Sequence, residues 1–556
     1  MAATYYVRAD GSAANLAAAT GPGSSAAACM DPTLFGASAF AAGDTVVFSD
    51  QGGNYTSSMS LNDDGTEGNP VTIIGGYAHE GDVNGESGNP LITLAGYGFR
   101  VLANYVTVKG IDIVNTLESG SMWCLYSTLA GLTGLIIEDC TLTATQYAIY
   151  IGGVTNDLTV RGCTITSSES ITVASAGESI NVTIDDCTIS ESCTFRDVSS
   201  LTITDTTVID GQILVVDPDS MDLVISDCTL ESSSEYSFFC TGTVSVNSIS
   251  LTNLTCNGLF CINCDDITID GLFTTILPIQ FVACSGGLQA QNISVEGVES
   301  NAGGIAFSTS GGFDNGSFLK NTSIINCYAG IEFNTGVTNL LIENVTVQDS
   351  TDNNGFRGGA GCNNLTFRRC SAIRNAGDGF SFSGGATPIY GVTLEECSAI
   401  CNGTVGELAA GDGFTCHDND YGYILRRCTA IGNTSSGVAM VLQSSGIIED
   451  CYFEGNHHHT YTERGGIYLS PDAVNPTSGF SWVFRNNQMV NNGTREFSLS
   501  DGEGYELSFS GNAMIWPDQS AAIINDNGSL ITFAAFQAAR EPLARWGRFP
   551  DGWKVA

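Results

Sequence analysis

One eight-residue phrase repeats along most of this chain, and it constrains the fold more than any other feature. Apolar and polar residues alternate at its start, one or two polar residues follow in which Asp and Asn are favoured, and Cys or a small apolar residue then precedes Thr or Ser. The sixth position advances by 18 to 31 residues between copies, except for one step of 55. A period of this length is typical of a solenoid of stacked coils. The copies are Val106–Ile113, Leu135–Leu142, Leu158–Ile165, Val182–Ile189, Leu201–Val208, Leu223–Leu230, Ile249–Cys256, Ile267–Thr274, Thr322–Ala329, Leu340–Val347, Leu365–Ala372, Val392–Ala399, Tyr423–Ala430 and Gly446–Phe453.

The alternation inside the phrase predicts strands, because successive side chains of a strand face opposite sides. One short strand cannot close a coil of about 24 residues, so each coil needs further strands. A second marker, Gly followed by apolar residues, comes after several of the phrases. Two or three strands per coil, joined by Gly, Asn and Asp turns, make a parallel β-helix. The sequence therefore predicts an all-β solenoid of about sixteen rungs with a cap at each end.

Nine of the twenty cysteines occupy the sixth position of the phrase. They are expected to stack as an inward column of free thiols, because a small polarizable side chain packs well in a core. Disulfides are the alternative, although neighbours in an ideal stack point the same way. The nine are Cys140, Cys163, Cys187, Cys228, Cys327, Cys370, Cys397, Cys428 and Cys451.

Both ends depart from the repeat, as solenoid ends must if they are not to expose a strand edge. Residues 1–100 are expected to form an N-terminal cap and opening coils, residues 101–515 the β-helix, and residues 516–556 a C-terminal cap. The last of these contains a helix-like run to about Ala539 and a basic, aromatic tail. The tail either packs on the acidic body or docks a partner or another subunit. Its docking residues would be Arg540, Arg545, Trp546, Arg548, Trp553 and Lys554.

The charge balance excludes whole classes of partner. The chain has 19 basic and 59 acidic side chains, a net charge of −40. Recognition of nucleic acid requires clustered Lys and Arg, so no nucleic-acid partner is expected. No window approaches 18 consecutive apolar residues, and membrane insertion is not expected either. The N-terminus lacks the basic and apolar regions of a secretory signal, so no signal peptide is expected in this chain.

Segments at both ends resemble known proteins. Tyr5–Asn15, Ala41–Thr56, Gly65–Tyr77 and Asn104–Asn115 are similar to the opening coils of polysaccharide lyases of the alginate lyase and chondroitinase B type. Ser508–Ile523, with the LITFAAFQAAR run after it, resembles the last coil and terminal helix of bacterial β-helix proteins. The chain thus resembles right-handed parallel β-helix proteins of the pectate-lyase-like superfamily, and overall it is also similar to phage tailspikes. The resemblance implies a right-handed coil, and it leaves the chemistry open because this fold serves many functions.

The resemblance to polysaccharide lyases implies a basic residue that acts as the base and a group that neutralises the charge of a uronate substrate. In some of these lyases that group is a calcium ion held by carboxylates. Lys320 is the one lysine away from the ends of the chain, which makes it the candidate base. The paired Lys and Arg pattern of the family is not matched around it.

The richest polar cluster lies between Arg357 and Arg427. Asp378 and Asp412 begin equivalent Asp-Gly-Phe strands on neighbouring rungs, so their backbones should lie about 5 Å apart. That spacing suits calcium binding or acid/base work on a glycoside, whereas the structural alternative is that Asp before Gly is a turn residue. With His417 they are the catalytic candidates, and the two aspartates are the metal candidates. The glycan-binding candidates are Arg357, Arg374, Asp418, Asp420, Tyr421 and Tyr423.

These features favour an extracellular or virion-surface β-helix protein, tailspike-like or fibre-like, that engages cell-surface glycan. A polysaccharide lyase or glycoside hydrolase is the alternative, and a non-catalytic structural rod is the second alternative. The expected partners are a polysaccharide and, for a tailspike, two further copies in a homotrimer or virion structural proteins. No cofactor is required, and calcium is the ion that the acidic pair would hold.

Overall fold

The chain folds as two compact units, residues 1–264 and residues 265–556. The computed structural model describes residues 2–20, 25–78, 88–94, 98–117, 123–216, 222–232, 236–246, 248–299, 303–308, 312–385, 387–403, 411–417, 421–441, 445–457, 464–470, 480–493, 495–499, 505–515, 524–526, 529–539 and 545–546. In each unit the strands form three parallel sheets. Sheet A holds the first half of each phrase, sheet B the second half, and sheet C the strand that follows the Gly marker.

In the first unit every described strand pairing is parallel. Sheet A contains Thr4–Val7, Thr45–Phe48, Val71–Gly75, Val106–Lys109, Leu132–Thr133, Leu135–Glu138, Thr155–Arg161, Ser200–Thr204 and Asp222–Ser226. Sheet B contains Leu91–Leu94, Asp112–Asn115, Thr141–Ala144, Thr207–Ile209 and Thr229–Leu230. Sheet C contains Met59–Leu61, Phe99–Val101, Trp123–Ser127, Tyr147–Ile151, Ile213–Val216 and Phe238–Val246. Longer strands run through more than one sheet: Thr164–Asp185, Thr188–Val198 and Ser248–Cys256. The strand Leu259–Thr275 begins in the first unit and ends in the second. The 3₁₀ helices are Leu16–Ala18, Ala26–Ala28, Pro32–Ala37 and Gly76–Ala78.

The second unit repeats the arrangement. Ser285–Glu296, Ser317–Ile325 and Leu340–Gln348 run through sheets A and B. Sheet A continues with Thr366–Arg368, Thr393–Glu395, Tyr423–Arg426, Gly446–Glu449, Phe480–Arg485 and Tyr505–Ser510. Sheet B continues with Ser371–Ile373, Ser398–Ile400, Thr429–Ile431, Tyr452–Glu454, Gln488–Val490, Ala513–Ile515 and Arg545–Trp546. Sheet C contains Ile279–Val282, Gly303–Ser308, Ala329–Phe333, Phe356–Gly358, Phe380–Ser383, Phe414–His417, Val438–Val441, Ile467–Ser470, Phe497–Leu499 and Ile524–Asp526. Ser529–Ile531 pairs antiparallel with the last of these, before the helix Phe533–Ala539.

The residue between the two halves of the phrase turns the chain from sheet A to sheet B. It has a positive φ in nearly every copy, for example 50° at Asp186 and 55° at Asn326. Asn, Asp and Gly tolerate this left-handed conformation better than other residues, which explains why the phrase favours them. Arg369 and Arg427 adopt it as well, with φ of 52° and 53°.

The predicted column of cysteines is confirmed. All twenty cysteines are free thiols, and all except Cys401 are buried. In the second unit, asparagines replace the cysteines on the last rungs of the column. The backbone N–H of Cys451 donates to Asn487 Oδ1 at 3.1 Å, and Asn487 Nδ2 donates to Asn512 Oδ1 at 2.9 Å. A thiol and an amide therefore occupy the same inward position on successive rungs.

A second buried ladder of asparagines follows sheet B in the second unit. Each side-chain Nδ2 donates to the Oδ1 of the next asparagine at 2.8–2.9 Å, from Asn375 through Asn402, Asn433 and Asn456 to Asn492. The ladder ends at Glu496, whose Oε2 accepts from Asn492 Nδ2 at 2.7 Å. Burial raises the pKa of Glu496 to about 7. Shared amide bonds of this kind satisfy polar groups that the core encloses.

The right-handed parallel β-helix predicted from the sequence is confirmed. Strands and inward apolar residues follow the phrase closely, and phenylalanines stack inside sheet C, with ring centroids 4.5 Å apart between Phe356 and Phe380 and 5.1 Å apart between Phe380 and Phe414. The number of rungs and the domain limits near residues 100 and 515 stay predictions. Among the described residues, every helix is too short or too polar to cross a lipid bilayer.

Candidate functional site

Asp378 and Asp412 occupy one position on neighbouring rungs, directly before strands of sheet C. Asn354 precedes them in the same position and Ser436 follows. In each step an Oδ1 atom accepts a hydrogen bond from the backbone N–H one rung later. Asn354 accepts from Asp378 at 2.7 Å, Asp378 from Asp412 at 2.9 Å, and Asp412 from Ser436 at 2.6 Å. The side chains thus bind one rung to the next, which agrees in part with the interpretation of both aspartates as turn residues.

This structural role does not require a carboxylate. Asn354 caps the backbone of Asp378 with a neutral amide, so Asn in place of either aspartate could make the same bond. A buried carboxylate also costs free energy that an amide does not. The backbone hydrogen bonds therefore do not explain why Asp rather than Asn stands at positions 378 and 412.

Arg464 supplies part of that explanation. Its Nη1 lies 2.7 Å from Asp412 Oδ2 and donates to Ser435 Oγ at 3.0 Å. Its guanidinium carbon also lies 5.0 Å from the centre of the Tyr468 ring. The Asp412 side chain is 2% exposed and that of Arg464 is 21% exposed. Burial alone would lower the pKa of Arg464, but the charge and hydrogen bond of Asp412, with smaller contributions from Tyr468 and Asp378, together outweigh it and raise the pKa.

Asp378 behaves differently. Burial, and secondly the charge of Asp412, raise the pKa of the Asp378 carboxyl to about 7. Asp378 as a residue is partly exposed, whereas Asp412 is enclosed. Near neutral pH the site holds one carboxyl that is readily protonated beside one held in an ion pair. A protonated carboxyl beside an ion-paired one suits acid/base chemistry.

The outward face of sheet C forms the floor of the site. Glu332, Arg357, Ser381, Thr415, Ala439 and Tyr468 follow one another in register on this face. Thr415 and Ala439 face away from the core yet are fully buried, so other parts of the chain cover this stretch of the face. The Ser436 hydroxyl is buried there and has no hydrogen-bond partner within the described part of the chain. Buried hydroxyls are usually paired, so this one indicates room for a water or a ligand group.

Two further candidates lie on the same face of sheet C. His417 is two residues beyond Thr415 on one strand, roughly 7 Å along it. Arg357 is exposed and contacts Glu332, with 3.4 Å between Nη1 and Oε1. Asp378 and Asp412 are in contact before the start of these strands, whereas His417 is five residues beyond Asp412, roughly 16 Å along the strand.

Lys320 lies on sheet A and belongs to a different feature, a column of alternating charge. Seven residues at one outward position stand in register on seven rungs. Neighbours are ion-paired at five of the six steps, at 3.4, 3.7, 3.3, 2.6 and 3.4 Å. In order they are Lys320, Glu343, Arg368, Glu395, Arg426, Glu449 and Arg485. Lys320 as a catalytic base stays a prediction, and Glu343 already neutralises its charge.

The glycan-binding candidates differ in exposure and in their contacts. The prediction for Tyr423 is wrong: it is 1% exposed and its ring packs edge-on against Phe382 in the core. Arg374 binds Asp349 of the preceding rung through two bonds of 2.8 Å, so its donors are partly used. Tyr421 stacks on exposed Tyr390, with ring centroids 5.4 Å apart, at a corner beside sheet A.

Several predicted residues lie outside the described residues. They are Asp418 and Asp420 of the glycan-binding set, and Arg540, Arg548, Trp553 and Lys554 of the tail. Arg545 and Trp546 form a short strand paired with Ala513–Ile515, and their side chains are also outside the description. Docking through the tail stays a prediction.

The predicted calcium site is poorly matched by the two aspartates. Asp412 has one oxygen on Arg464 and the other on the N–H of Ser436, and Asp378 Oδ1 accepts from the N–H of Asp412. A calcium ion prefers six to eight oxygen ligands and would have to displace the guanidinium. Within the described ranges no group of three or more His, Cys, Asp or Glu side chains is placed to hold a metal ion. Calcium binding stays a prediction that this geometry does not favour.

Sequence reasoning missed Arg464 and Tyr390. Arg464 stands immediately before the Gly pair that opens a later strand of sheet C, but nothing in that spacing shows that its side chain reaches back to the rung of Asp412. Tyr390 could have been found, because the corners before two neighbouring phrases both carry a tyrosine, Tyr390 and Tyr421.

Comparison with known proteins agrees with the fold. The family described as "Right handed beta helix region" matches residues 98–255, less than a third of the chain. The curated proteins give no match.

Among solved structures, the chain is similar to pectate lyase Pel9A, at 14% identity over 96% of this chain and 82% of that one, with a TM-score of 0.23. It is similar to tailspike protein 3 of bacteriophage CBA120, at 9% identity over 81% of this chain and 56% of that one, with a TM-score of 0.29. It is also similar to a mannuronic acid specific polysaccharide family 6 lyase from human gut microbiota, at 11% identity over 94% and 89%, with a TM-score of 0.19. Similarities this low carry no argument about function.

Proposed function

We propose that this protein binds glycan and hydrolyses a glycosidic bond, with Asp378 as the proton donor. The observation that carries the proposal is a carboxyl whose burial raises its pKa to about 7, on a partly exposed residue set beside the enclosed Asp412–Arg464 ion pair. A general acid works best when its pKa is near the working pH. An ordinary surface aspartate, with a pKa near 4, would be ionised and unable to donate.

The chemistry follows from this arrangement. Protonated Asp378 donates to the glycosidic oxygen while the bond from that oxygen to the anomeric carbon breaks, and water adds to the carbon. Asp378 is then an anion beside ionised Asp412, and this repulsion favours recovery of a proton from solvent. The proton of the attacking water passes to solvent, because His417 lies five residues beyond Asp412, roughly 16 Å along the strand, and its catalytic role stays a prediction. Asp412 is enclosed, so it acts through Asp378 as a positioning residue.

Hydrolysis is better supported than elimination. A lyase needs a free base and a group that neutralises a uronate, whereas Lys320 is paired with Glu343 in the charge column. The net charge of −40 also disfavours a polyanionic substrate.

The setting that we propose is extracellular or on a virion surface, where the glycans of a cell are accessible. A tailspike-like role would also require a homotrimer, which adds glycan-binding sites without new contacts in each chain. Mass measurement in solution tests this part, and a monomer at micromolar concentration would argue against it.

The activity itself can be tested on a panel of neutral and acidic polysaccharides, by measuring reducing ends and unsaturated uronate ends separately. New reducing ends without unsaturated ends are expected, and Asp378→Asn should abolish them while retaining the cap to Asp412, as Asn354 does one rung earlier. Ser383→Ala, on the outward face of the same strand, is the matched control. Unchanged hydrolysis by the Asp378→Asn variant would refute the assignment, and unsaturated ends would favour a lyase.

A further inference from the structure

The second unit has a cleft on sheet A, apart from the residues of the Asp378 site. It has a volume of about 340 Å³ and is lined by segments of three successive rungs, among them Phe318, Leu341 and Thr366 of the strands and Asn339 and Asn364 of the corners. Ligand pockets in proteins begin at about 300 Å³, so this cleft can hold a sugar unit or two.

The floor of the cleft is partly apolar. Phe318, Leu341 and Thr366 stand in register at one outward position of sheet A, and all three are half-buried rather than covered. The Lys320 ammonium lies 4.3 Å from the centre of the Phe318 ring and borders the floor on the side of the charge column. Amide groups border the other side, where Asn364 Nδ2 donates to Asn339 Oδ1 at 3.1 Å.

The stacked tyrosines stand directly beyond this amide wall. Corner residues Asn363, Tyr390 and Tyr421 follow one another on successive rungs, and the backbone N–H of Asn364 donates to the carbonyl of Tyr390 at 2.8 Å. Tyr421 covers one face of the Tyr390 ring, with 13° between the ring planes. Tyr390 is 48% exposed, and its bridge partner Asn363 directly precedes Asn364, which lines the cleft. A partly exposed aromatic ring therefore stands one rung beyond the amide wall of the cleft.

We propose that this cleft, together with Tyr390, is a binding site for neutral pyranose oligosaccharide, separate from the hydrolytic site. Pyranose rings have an apolar face that stacks on aromatic rings and hydroxyls that suit amides. The rung spacing of about 4.8 Å is close to the length of one sugar unit, so a linear chain along the sheet meets the same wall on each rung.

The charges of the cleft favour a neutral ligand over a uronate. Lys320 is the one cation that lines it within the described residues, and its Nζ already lies 3.4 Å from Glu343 Oε2. A uronate would meet no surplus positive charge and would approach a chain of net charge −40.

The proposed cleft rests on the proposed function only in requiring that the protein binds glycan. Binding in the cleft and hydrolysis at Asp378 can each be refuted without the other. The experiment measures binding of hexasaccharides of glucose, mannose, galactose and rhamnose by calorimetry, with hexagalacturonate for comparison, to the full chain carrying Asp378→Asn so that no substrate is consumed. At least one neutral hexasaccharide should bind, and hexagalacturonate should bind at least tenfold more weakly.

Tyr390→Ala, which removes the aromatic face, and Thr366→Trp, which fills the cleft, should each weaken that binding at least tenfold. Tyr77→Ala, at another exposed tyrosine, is the matched control and should change nothing. Circular dichroism and the melting temperature establish that each variant is folded. No binding of any neutral probe, or full binding by both cleft variants, overturns the proposal. Tyr390→Ala in the chain with intact Asp378 should still hydrolyse short substrates, and loss of that hydrolysis would contradict a site separate from the hydrolytic one. Hexasaccharide binding by a chain that shows no hydrolysis even with Asp378 intact would count against the proposed function and not against the cleft.

Discussion

Arg464 lies beside the core of the second unit with its Nη1 atom 2.7 Å from Asp412 Oδ2, although the two residues are 52 positions apart in the chain. The contact reaches across the rung of Ser436, whose neighbour Ser435 accepts a second bond from the same nitrogen. It places a positive charge against an enclosed carboxyl group that lies next to Asp378.

Removal of this cation should destabilise the fold strongly. Arg464→Gln leaves Asp412 enclosed without its counter-charge, and the free energy of unfolding should fall by about 3 kcal/mol. Adding Asp412→Asn should recover most of the loss, because the amide can still cap Ser436. Urea unfolding of both variants measures this. A single variant within about 0.5 kcal/mol of the wild type would contradict it.

The rate of hydrolysis should fall as pH rises through about 7, because the protonated form of Asp378 is the one that donates. Asp412→Asn removes the neighbouring negative charge and keeps the positive charge of Arg464 nearby, and both effects lower the pKa of Asp378. The fall in rate should therefore move to lower pH in this variant. Rate profiles on a soluble glycan measure the midpoint, and an unshifted midpoint would show that another group controls the reaction.

Reversal of one charge in the sheet A column should destabilise the fold, and added salt should reduce this destabilisation. Glu395→Lys places a cation in register with Arg368 and Arg426, so attraction becomes repulsion and stability should fall by about 1 kcal/mol or more. Salt screens such exposed charges, so added salt should reduce the gap between variant and wild type. Glu67→Lys, at an exposed turn, is the control. A gap that does not change with salt would rule out an electrostatic role for the column.

Glu496 should make stability depend on pH. Its pKa is raised from the ordinary 4.5 to about 7 in the folded protein, so its contribution is complete below about pH 4.5 and is lost as pH rises through 7. Glu496→Gln has no such loss, and its stability relative to the wild type should increase between pH 5 and pH 8. Denaturant unfolding at both values measures the difference. The same difference at both values would mean that Glu496 does not titrate in this range.

The phrase predicted the strands, the inward thiols and the turn residues because each depends on local alternation or on a local backbone conformation. The same alternation could have corrected Tyr423: it stands at the first position of its phrase, where Leu135, Leu158 and Leu201 are all buried. The charge column was also readable, since Arg368 and Arg426 share the fourth, outward position. What remained hidden was contact between rungs that are not neighbours, as between Arg464 and Asp412, because a long side chain can reach in several directions and the repeat does not specify which.

The alternating column also bears on how a chain of this kind can change in length. Loss of a single coil, for example the one that carries Arg368, would bring Glu343 against Glu395 and set two like charges on adjacent rungs. Loss or duplication of two coils together would leave the sequence of signs intact. The unit of insertion and deletion that this surface tolerates is therefore a pair of coils, even though the backbone repeats with every coil.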